Sequence, residues 1–425
     1  MKKQWKFATK AVQGGYEPKN GEPRILPIFQ STTYKYDDAD QVAGLFDLQV
    51  TGHMYTRISN PTVQAFEEKV ALLEGGVGAV ATSSGQAATM LAILNVCESG
   101  QHIVASSTLY GGTYTLLSST LRKLGIEVTF VDPNSGSEEI EKCFRENTKA
   151  LFAETIGNPG LNVLDFAKFS GVAKKMGVPL IVDNTFATPY LCRPFEHGAN
   201  IIIHSATKYI DGHATSVGGI VVDGGNFNWD NGNYPEITEP DPTYHGLRYW
   251  ETFKEAAYIT KLRVTLLRDM GPSMSPFNAF LSSLGLETLH LRMQKHSENA
   301  LELAKYLSNH PKVAWVKYPG LEENLSFSLA QKYLPLGASG ILTFGVKGGV
   351  KAGKTFINNV RLATLVVHVG DIRTYVLHPA SMTHRQLTEE QQLASGVTPD
   401  MIRVSVGIED IEDIKADFQQ ALSLV

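Results

Sequence analysis

The sequence has 425 residues, 43% of them hydrophobic, which is more than one compact core usually buries, so two domains are expected. Its 38 basic and 43 acidic residues give a net charge of −5, so neither nucleic acid nor a membrane is an expected partner. No apolar run approaches the roughly 20 residues that span a bilayer, and the N-terminus lacks a signal-peptide core. Three scattered cysteines suit a reducing cytoplasm, and the twelve histidines show no metal-ligand spacing, so no metal is expected.

The first 61 residues are polar, rich in glycine and proline and weakly periodic, which indicates an extended arm of the kind that packs on a partner subunit. From residue 62 onward, helices and strands alternate. The predicted helices cover residues 62–73, 85–96 and 166–176, and the predicted strands cover residues 79–82, 102–105, 127–131, 150–153, 180–182 and 201–203. Strands separated by helices predict right-handed crossovers and a mostly parallel central sheet covered by helices.

Residues 223–246 interrupt this alternation. They contain Asp-Gly-Gly, Asn-Gly-Asn and Glu-Pro-Asp-Pro, which mark a long irregular connection, and connections of this length inside a compact domain usually have a function. Beyond them, helices are predicted over residues 252–268 and 286–307 and strands over residues 341–346 and 401–406. We therefore expect an arm over residues 1–61, a large domain over residues 62–258 and a smaller C-terminal α/β domain over residues 259–425.

Asp183 and Lys208 are the residues with the clearest chemistry, and each follows a run of apolar residues that is predicted to be a strand. The carboxyl ends of parallel strands are where α/β sheets bind ligands. A lysine that forms an imine and a carboxylate that keeps a pyridine nitrogen protonated are the two groups that pyridoxal phosphate requires. Alone, Asp183 would be a helix N-cap and Lys208 a surface lysine, but together at this spacing they favour the cofactor.

Two further segments could bind a phosphate. A predicted strand runs into Ser84, Gly85 and Gln86, where a helix begins, and backbone N–H groups at a helix start form an anion site. In the arm, Arg57 could bind a phosphate bidentately and Tyr55 could donate a hydrogen bond to it. Each segment also has a plainer interpretation, namely a capped turn for the first and an arm held by surface contacts for the second.

Tyr110 and Arg403 are candidates for the cofactor ring and the substrate. Tyr110 follows a strand on a glycine turn and could stack on a flat ring, although half-buried loop aromatics are common. Arg403 interrupts an apolar strand, and a guanidinium there needs an anionic partner. That partner would be the α-carboxylate of an amino-acid substrate or, in a structural salt bridge, Glu409 or Asp410.

At these segments the sequence resembles the Cys/Met-metabolism family of fold-type I pyridoxal-phosphate enzymes, over nearly the whole chain from Thr9 to the C-terminal helix. The most specific motifs are Asp-Asn-Thr-Phe-Ala-Thr-Pro at residues 183–189, Ser-Ala-Thr-Lys-Tyr at residues 205–209 and His-Pro-Ala-Ser-Met-Thr-His at residues 378–384. The resemblance implies pyridoxal 5'-phosphate as cofactor and a homotetramer made of two dimers with shared active sites.

The resemblance also implies roles for individual residues. Lys208 would carry the cofactor as a Schiff base and act as general base, Asp183 would pair with the pyridine nitrogen, and Tyr110 would stack on the ring. The other implied cofactor contacts are Ser84, Gly85, Gln86, Ser205 and Thr207 at the phosphate, Asn158 near the cofactor's hydroxyl, and Tyr55 and Arg57 at the phosphate of the neighbouring subunit. The implied substrate contacts are Arg403, Tyr55, Asn158, His368 and Val369.

Within that family, three features resemble the O-acetylhomoserine sulfhydrylase branch: the insertion at residues 223–246, the run Val-Gly-Asp at residues 369–371, and Gly112 where methionine γ-lyases carry a cysteine. This implies a γ-replacement that converts O-acetyl-L-homoserine and sulfide, or methanethiol, to L-homocysteine, or L-methionine, and acetate. His368 departs from the branch, which tends to have asparagine there.

Other functions stay open at this point. A methionine γ-lyase or a cystathionine γ-synthase would use the same cofactor residues. A non-catalytic binding or scaffold protein of the same fold would have lost the lysine, the aspartate or the arginine, and Lys208, Asp183 and Arg403 are all present.

Overall fold

The computed structural model describes residues 4–383, 385, 388, 390, 392 and 396–425. His384, the last residue of the motif at residues 378–384, lies outside the described residues. In the described ranges, no helix is both long enough and apolar enough to cross a membrane.

Seven strands of the described chain form the first sheet, in the order β1-β7-β6-β5-β4-β2-β3. They are β1 (Gly78–Thr82), β2 (His102–Ser106), β3 (Glu127–Val131), β4 (Thr148–Glu154), β5 (Leu180–Asp183), β6 (Ile201–His204) and β7 (Gly219–Asp223). The pairs from β6 to β3 are parallel, whereas β7 is antiparallel to both β1 and β6. This confirms the mostly parallel sheet and adds β7, which the sequence analysis missed.

Helices cover both faces of this sheet, so its central strands are buried on two sides. Alternate residues of β5 belong to different cores, with Leu180 and Val182 in one and Ile181 in the other. The helices before β7 are Phe7–Gln13, Ala39–Phe46, Pro61–Glu74, Gly85–Leu94, Gly111–Thr115, Leu121–Lys123, Ser137–Glu141, Phe166–Met176 and Thr188–Leu191, with the π-helix Leu116–Thr120 and the 3₁₀ helix Pro194–His197.

The helix predicted over residues 62–73 shows how the sequence sets an element's ends. Asn60 accepts hydrogen bonds from two backbone N–H groups of the first turn, and Pro61 occupies the first helical position, where it loses no hydrogen bond. Gly75 ends the helix in the left-handed region with φ 87°, which glycine adopts without strain. The observed helix is Pro61–Glu74, close to the prediction.

The second sheet has five strands in the described residues, in the order β10-β11-β12-β9-β8. They are β8 (Val313–Lys317), β9 (Ile341–Val346), β10 (Thr364–Leu365), β11 (Tyr375–Leu377) and β12 (Met401–Ser405). The remaining helices are Pro235–Thr238, Tyr249–Phe253, Ala257–Leu262, Arg268–Met270, Pro276–Glu287, Leu289–Ser308, Phe327–Tyr333, Gly349–Asn359 and Ile411–Leu422, with the π-helix Arg263–Leu267 and the 3₁₀ helices Pro242–Tyr244, Lys254–Ala256 and Pro379–Ser381.

The domain boundary near residue 258 stays a prediction. The helices Tyr249–Phe253 and Ala257–Leu262, on either side of it, both pack into the core of the first sheet. The helix Leu289–Ser308 packs into that sheet's other core with its first half and into the core of the second sheet with its second half. We propose that the small domain begins within this long helix.

The insertion at residues 223–246 packs onto the first sheet's helical layer. Trp229 is 1% exposed and stacks on Tyr258, with ring centroids 5.1 Å apart and an interplanar angle of 9°. Tyr234 is fully buried and donates a hydrogen bond to the Lys149 carbonyl over 2.9 Å. The segment predicted as an irregular connection therefore contributes large aromatic side chains to the core.

Candidate active site

A cavity of about 730 Å³ opens at the carboxyl ends of the parallel strands β4, β5 and β6. Glu154 and Asp183 end two of these strands as register partners, and Ser205 follows the third. The candidate residues that line this cavity are Ser84, Gly85, Gln86, Tyr110, Asn158, Asp183, Ser205, Thr207, Lys208, His368, Val369 and Arg403. Most of the residues singled out from the sequence thus meet at one place.

Lys208 lies in the turn after β6 and points its amine into the cavity. Its Nζ atom is 3.2 Å from Nδ1 of His368. Burial, with a smaller contribution from the charge of Arg403, lowers the pKa of Lys208 to about 8. A lysine whose neutral amine is populated near neutral pH is suited to nucleophilic attack on a carbonyl carbon.

Asp183 is the buried carboxylate of the cavity. Its Oδ1 atom accepts hydrogen bonds from the backbone N–H and the hydroxyl of Thr185. Burial raises the pKa of Asp183, against the effect of those two bonds. A carboxylate held in this way gains from a cationic partner, and a protonated ring nitrogen would supply one.

The start of the helix Gly85–Leu94 faces the other end of the cavity. Ser84 caps this helix by accepting from the Ala87 N–H over 3.2 Å, and the first N–H groups, those of Gly85 and Gln86, have no partner inside the helix. A Cβ atom on Gly85 would come within 2.6 Å of Cβ of Ser205, so glycine is required for this close approach. The result is a small cradle with free donors, which fits a phosphate.

The two hydroxyl groups after β6, those of Ser205 and Thr207, differ in whether they are already hydrogen-bonded. Ser205 Oγ has no hydrogen-bond partner among the described residues, so it is free to bind an anion. Thr207 Oγ1 donates to the Gly218 carbonyl and accepts from the Gly218 N–H, both over 3.1 Å. Thr207 would have to give up its bond to Gly218 to donate to a phosphate.

Tyr110 stands at the start of the short helix Gly111–Thr115 and is half-exposed at the cavity. Its backbone N–H donates to Glu154 Oε1 over 2.7 Å, and this hydrogen bond fixes the backbone position from which the ring projects. A Cβ atom on Gly112 would come within 2.5 Å of the tyrosine ring, so a larger residue at this position would move the ring from where it lies.

Arg403 lies on β12 and is 8% exposed. Its one side-chain hydrogen bond in the described structure runs to Oδ1 of Asn158, at a long 3.4 Å. Glu409, considered above as a salt-bridge partner, instead accepts from the N–H and the hydroxyl of Thr374, and Asp410 caps the C-terminal helix. Burial lowers the pKa of Arg403 to about 10, as expected for a guanidinium without a nearby carboxylate.

Tyr55 and Arg57 do not line the cavity of their own chain. Both side chains lie on the surface, with the guanidinium of Arg57 5.3 Å from the Tyr55 ring centroid and bonded to the Arg268 carbonyl. The structure therefore separates the arm pair from the other candidates within one chain. Residues 223–246 are likewise absent from the described lining of the cavity.

Sequence reasoning missed several residues of the cavity wall. Glu154 is the most informative of them, because burial and the neighbouring charge of Asp183 raise its pKa well above the usual range. It directly follows the strand predicted over residues 150–153, so the argument that found Asp183 applied to it as well. Other missed wall residues include Thr113, Leu116, Ile156, Thr185 and Phe186.

An imine-forming lysine, a buried carboxylate, an aromatic ring and an anion cradle around one cavity are the groups that bind pyridoxal phosphate. Together with the helix-covered parallel sheet, they define a pyridoxal-phosphate enzyme. Residues 8–423 match the model of the Cys/Met metabolism PLP-dependent enzymes, and the chain belongs to that family.

Curated relatives and solved structures agree with this assignment. The chain is 50% identical to the O-acetyl-L-homoserine sulfhydrylase of Leptospira meyeri, over 99% of this chain and 98% of that protein. It is 48% identical to the homocysteine synthase of Schizosaccharomyces pombe, over 98% of each. A Campylobacter jejuni crystal structure assigned as an O-acetylhomoserine (thiol)-lyase superposes with a TM-score of 0.95 at 38% identity, covering 99% of this chain and 100% of that one, and contains a pyridoxyl-lysine phosphate residue. The expected family, fold and cofactor are confirmed.

Proposed function

We propose that this enzyme catalyses γ-replacement on O-acetyl-L-homoserine, with sulfide as the incoming nucleophile and L-homocysteine and acetate as products. The observation that carries the proposal is Arg403, a buried guanidinium without a carboxylate partner in the described chain, in the same cavity as Lys208. An amino-acid substrate supplies what this pair lacks, because its carboxylate matches the guanidinium and its amine can replace the lysine at the cofactor. The names of relatives at 46–50% identity support the same substrate.

Five groups of the cavity would hold the cofactor. Asp183 would face the ring nitrogen, Tyr110 would cover one ring face, and the N–H groups of Gly85 and Gln86 with the Ser205 hydroxyl would bind the phosphate. Asn158, which is buried and bonded to Arg403, would lie where the cofactor and substrate sites meet. When bound, the cofactor accepts electrons from the substrate's α-carbon and so acidifies its proton.

Lys208 would carry out the proton transfers. With a pKa near 8, its free amine can take the α-proton at neutral pH and later return a proton. Arg403 would hold the carboxylate so that the α-hydrogen faces the lysine, as in other positioned acid–base reactions. Tyr110, at the rim of the same cavity, would help to orient the ring or assist one proton transfer.

The charged side chains of the cavity wall indicate which acyl group the substrate carries. The lysine and arginine side chains of the described wall are Lys208 and Arg403, and both are occupied in the scheme above. A succinyl ester would bring a second carboxylate for which the described wall has no further lysine or arginine, whereas an acetyl group brings no charge. We therefore propose a preference for the acetyl ester.

We also propose a homotetramer and a cytoplasmic location. Tyr55 and Arg57 lie on the surface of an extended arm, in agreement with the idea that they reach the phosphate of a neighbouring subunit in a homotetramer built from two dimers. A cytoplasmic location fits the free cysteines of the described chain.

A substrate panel tests the proposed reaction. Purified protein with cofactor is given O-acetylhomoserine, O-succinylhomoserine or O-acetylserine, each with sulfide, methanethiol or cysteine, and the amino-acid products are quantified. We expect homocysteine from O-acetylhomoserine and sulfide, and methionine if methanethiol is accepted. Release of 2-oxobutanoate from methionine as the main activity would instead make it a γ-lyase, and preferred formation of cystathionine would make it a γ-synthase.

A further inference from the structure

His368 contacts the lysine of the site. Its Nδ1 atom lies 3.2 Å from Nζ of Lys208, and no other side chain in the described part of the chain hydrogen-bonds that amine. Arg403, the proposed carboxylate site, hydrogen-bonds Asn158 rather than His368. The imidazole is therefore partnered with the amine that leaves the cofactor when a substrate binds, and the structure shows no bond from it to the carboxylate site.

The backbone fixes this contact. His368 is followed by buried Val369 and by Gly370, whose φ is 78° and whose N–H donates to Ser405 Oγ over 2.9 Å. A Cβ atom on Gly370 would lie 2.8 Å from the Tyr209 nitrogen and 3.1 Å from the Lys208 carbonyl carbon. The backbone of the loop that carries the histidine is thus in contact with the backbone that carries the lysine, which places the two side chains within reach of each other.

The ring is in the right protonation state to accept a hydrogen bond. Burial, followed by the charge of Lys208, lowers the pKa of His368 to about 4, with Asp371 and Asp211 raising it and Arg403 lowering it further. The imidazole is therefore neutral near pH 7 and has one acceptor nitrogen. Its Nε2 atom is buried without a partner in the described structure, so Nδ1 is the nitrogen that makes a contact.

Substrate binding in this enzyme class includes an exchange of amines. The substrate, arriving as an ammonium ion, would take over the carbon–nitrogen double bond that joins Lys208 to the cofactor, and the lysine would leave as an ammonium group that carries the protons the substrate gave up. We propose that His368 is a positioning residue that receives the freed Lys208 amine at Nδ1 and thereby favours this exchange. The inference rests on the proposed role of Lys208 and deepens it.

Three substitutions separate the two ring nitrogens. His368→Asn places an amide where Nδ1 stands, His368→Gln places it nearer Nε2, and His368→Leu places none. The holoenzyme of each variant is titrated with L-norvaline, which has the amine and carboxylate of the substrate but no leaving group, and the cofactor's absorbance reports the exchange. We expect the apparent Kd for norvaline to stay within about threefold of wild type in His368→Asn. In His368→Gln and His368→Leu it should rise about tenfold, because one hydrogen bond to a charged group is lost.

Pentanoate provides the matched control, because it has the same carboxylate and chain but no amine with which to displace Lys208. Its Kd, measured by calorimetry on the same holoenzymes, should not change in any of the three variants. The inference is overturned if pentanoate weakens as much as norvaline, since His368 would then act on the carboxylate, or if the Gln and Asn variants bind norvaline equally well.

The outcome is separable from that of the proposed function. A wild-type enzyme that exchanges norvaline but forms no homocysteine would defeat the proposed substrate, while the variant series would still decide the role of His368. A wild-type enzyme whose absorbance does not respond to norvaline would overturn the role given to Lys208 and this inference with it.

Discussion

Replacement of Arg403 by methionine should separate stability from substrate binding. The guanidinium is buried, has one long hydrogen bond to Asn158 and lacks a carboxylate partner in the described chain. Removing a buried charge that has no counter-ion is neutral or stabilising, and methionine fills a similar volume. We therefore expect the melting temperature of the substrate-free Arg403→Met holoenzyme to stay the same or rise.

Substrate binding should suffer in the same variant. Losing the partner of a desolvated charge costs about 2–5 kcal/mol. At about 1.36 kcal/mol per factor of ten, kcat/KM for O-acetylhomoserine should fall roughly 30- to 5,000-fold. The Kd of pentanoate, which needs only the carboxylate site, should rise in parallel.

Arg292→Met is the matched control, because this arginine is also buried but its guanidinium is hydrogen-bonded to backbone carbonyls. Arg292 donates to the carbonyls of Tyr209 and Gly285 over 2.8 and 2.6 Å, so its loss leaves buried acceptors unsatisfied and should lower the melting temperature. If Arg403→Met were destabilised like Arg292→Met while pentanoate still bound normally, Arg403 would be a structural arginine and the substrate assignment would be refuted.

Three other predictions address the cofactor and the core. Asp183→Asn should lower kcat about 100-fold, the scale of losing one preorganised electrostatic group, with pentanoate binding unchanged; full activity in steady-state assays would remove the role given to this carboxylate. The rate at which added cofactor reacts with the apoprotein should rise with pH to half its maximum near 8, because the neutral Lys208 amine is the reactive form; a midpoint above 10 would contradict the lowered pKa. Trp229→Ala should cost about 3–5 kcal/mol of unfolding free energy in denaturant titrations, without changing the cofactor's absorbance; a loss below 1 kcal/mol would show that the insertion is not part of the core.

The sequence predicted those parts of the fold that depend on local pattern. The helix Phe166–Met176 and the strands β3 and β9 have the bounds that periodicity indicated. Strand β7 was missed. It pairs with β6, the strand before it in the chain, and with β1, 137 to 145 residues earlier, and at Gly219 its backbone approaches Ser84 closely. The pairing with β1 is non-local and has no short-range signal.

The predicted helix over residues 252–268 was wrong near its start, because the backbone leaves the helical region at Lys254, where φ is 48°. From Ala257 the helix runs on to Met270, with the π-helix Arg263–Leu267 inside it. Arg263, where the π-helix begins, bonds to Glu67 Oε2 and to the Ala79 carbonyl. A tertiary contact therefore decides the local helix type, and periodicity alone cannot show it.

For the site as well, some features could be predicted from the sequence and others could not. Asp183, Lys208 and Ser205 could be found because each follows a strand end, a position that the chain sequence displays. Glu154 had the same signal and was overlooked. The contact between His368 and Lys208 could not be found, because it joins residues 160 positions apart through the close approach of Gly370 to the Lys208 backbone. Sequence reasoning thus identifies which groups enter the cavity, and the packing decides which of them touch.

The position of the insertion changes how it can bear on function. Residues 223–246 were the strongest sign of the sulfhydrylase branch, yet none of them lines the cavity in the described structure. At its end, Tyr244 accepts from Arg268 over 2.8 Å and donates to the Val264 carbonyl, and the Arg268 carbonyl in turn accepts from Arg57 of the arm. The insertion is therefore connected to the arm through Arg268, and also directly, because His245 Nε2 lies 3.9 Å from Asp47 Oδ1 of the arm. Because the described cavity wall contains no part of it, we expect the insertion to act on this enzyme's reaction through the fold and the arm, whereas wall residues such as His368 act on it directly.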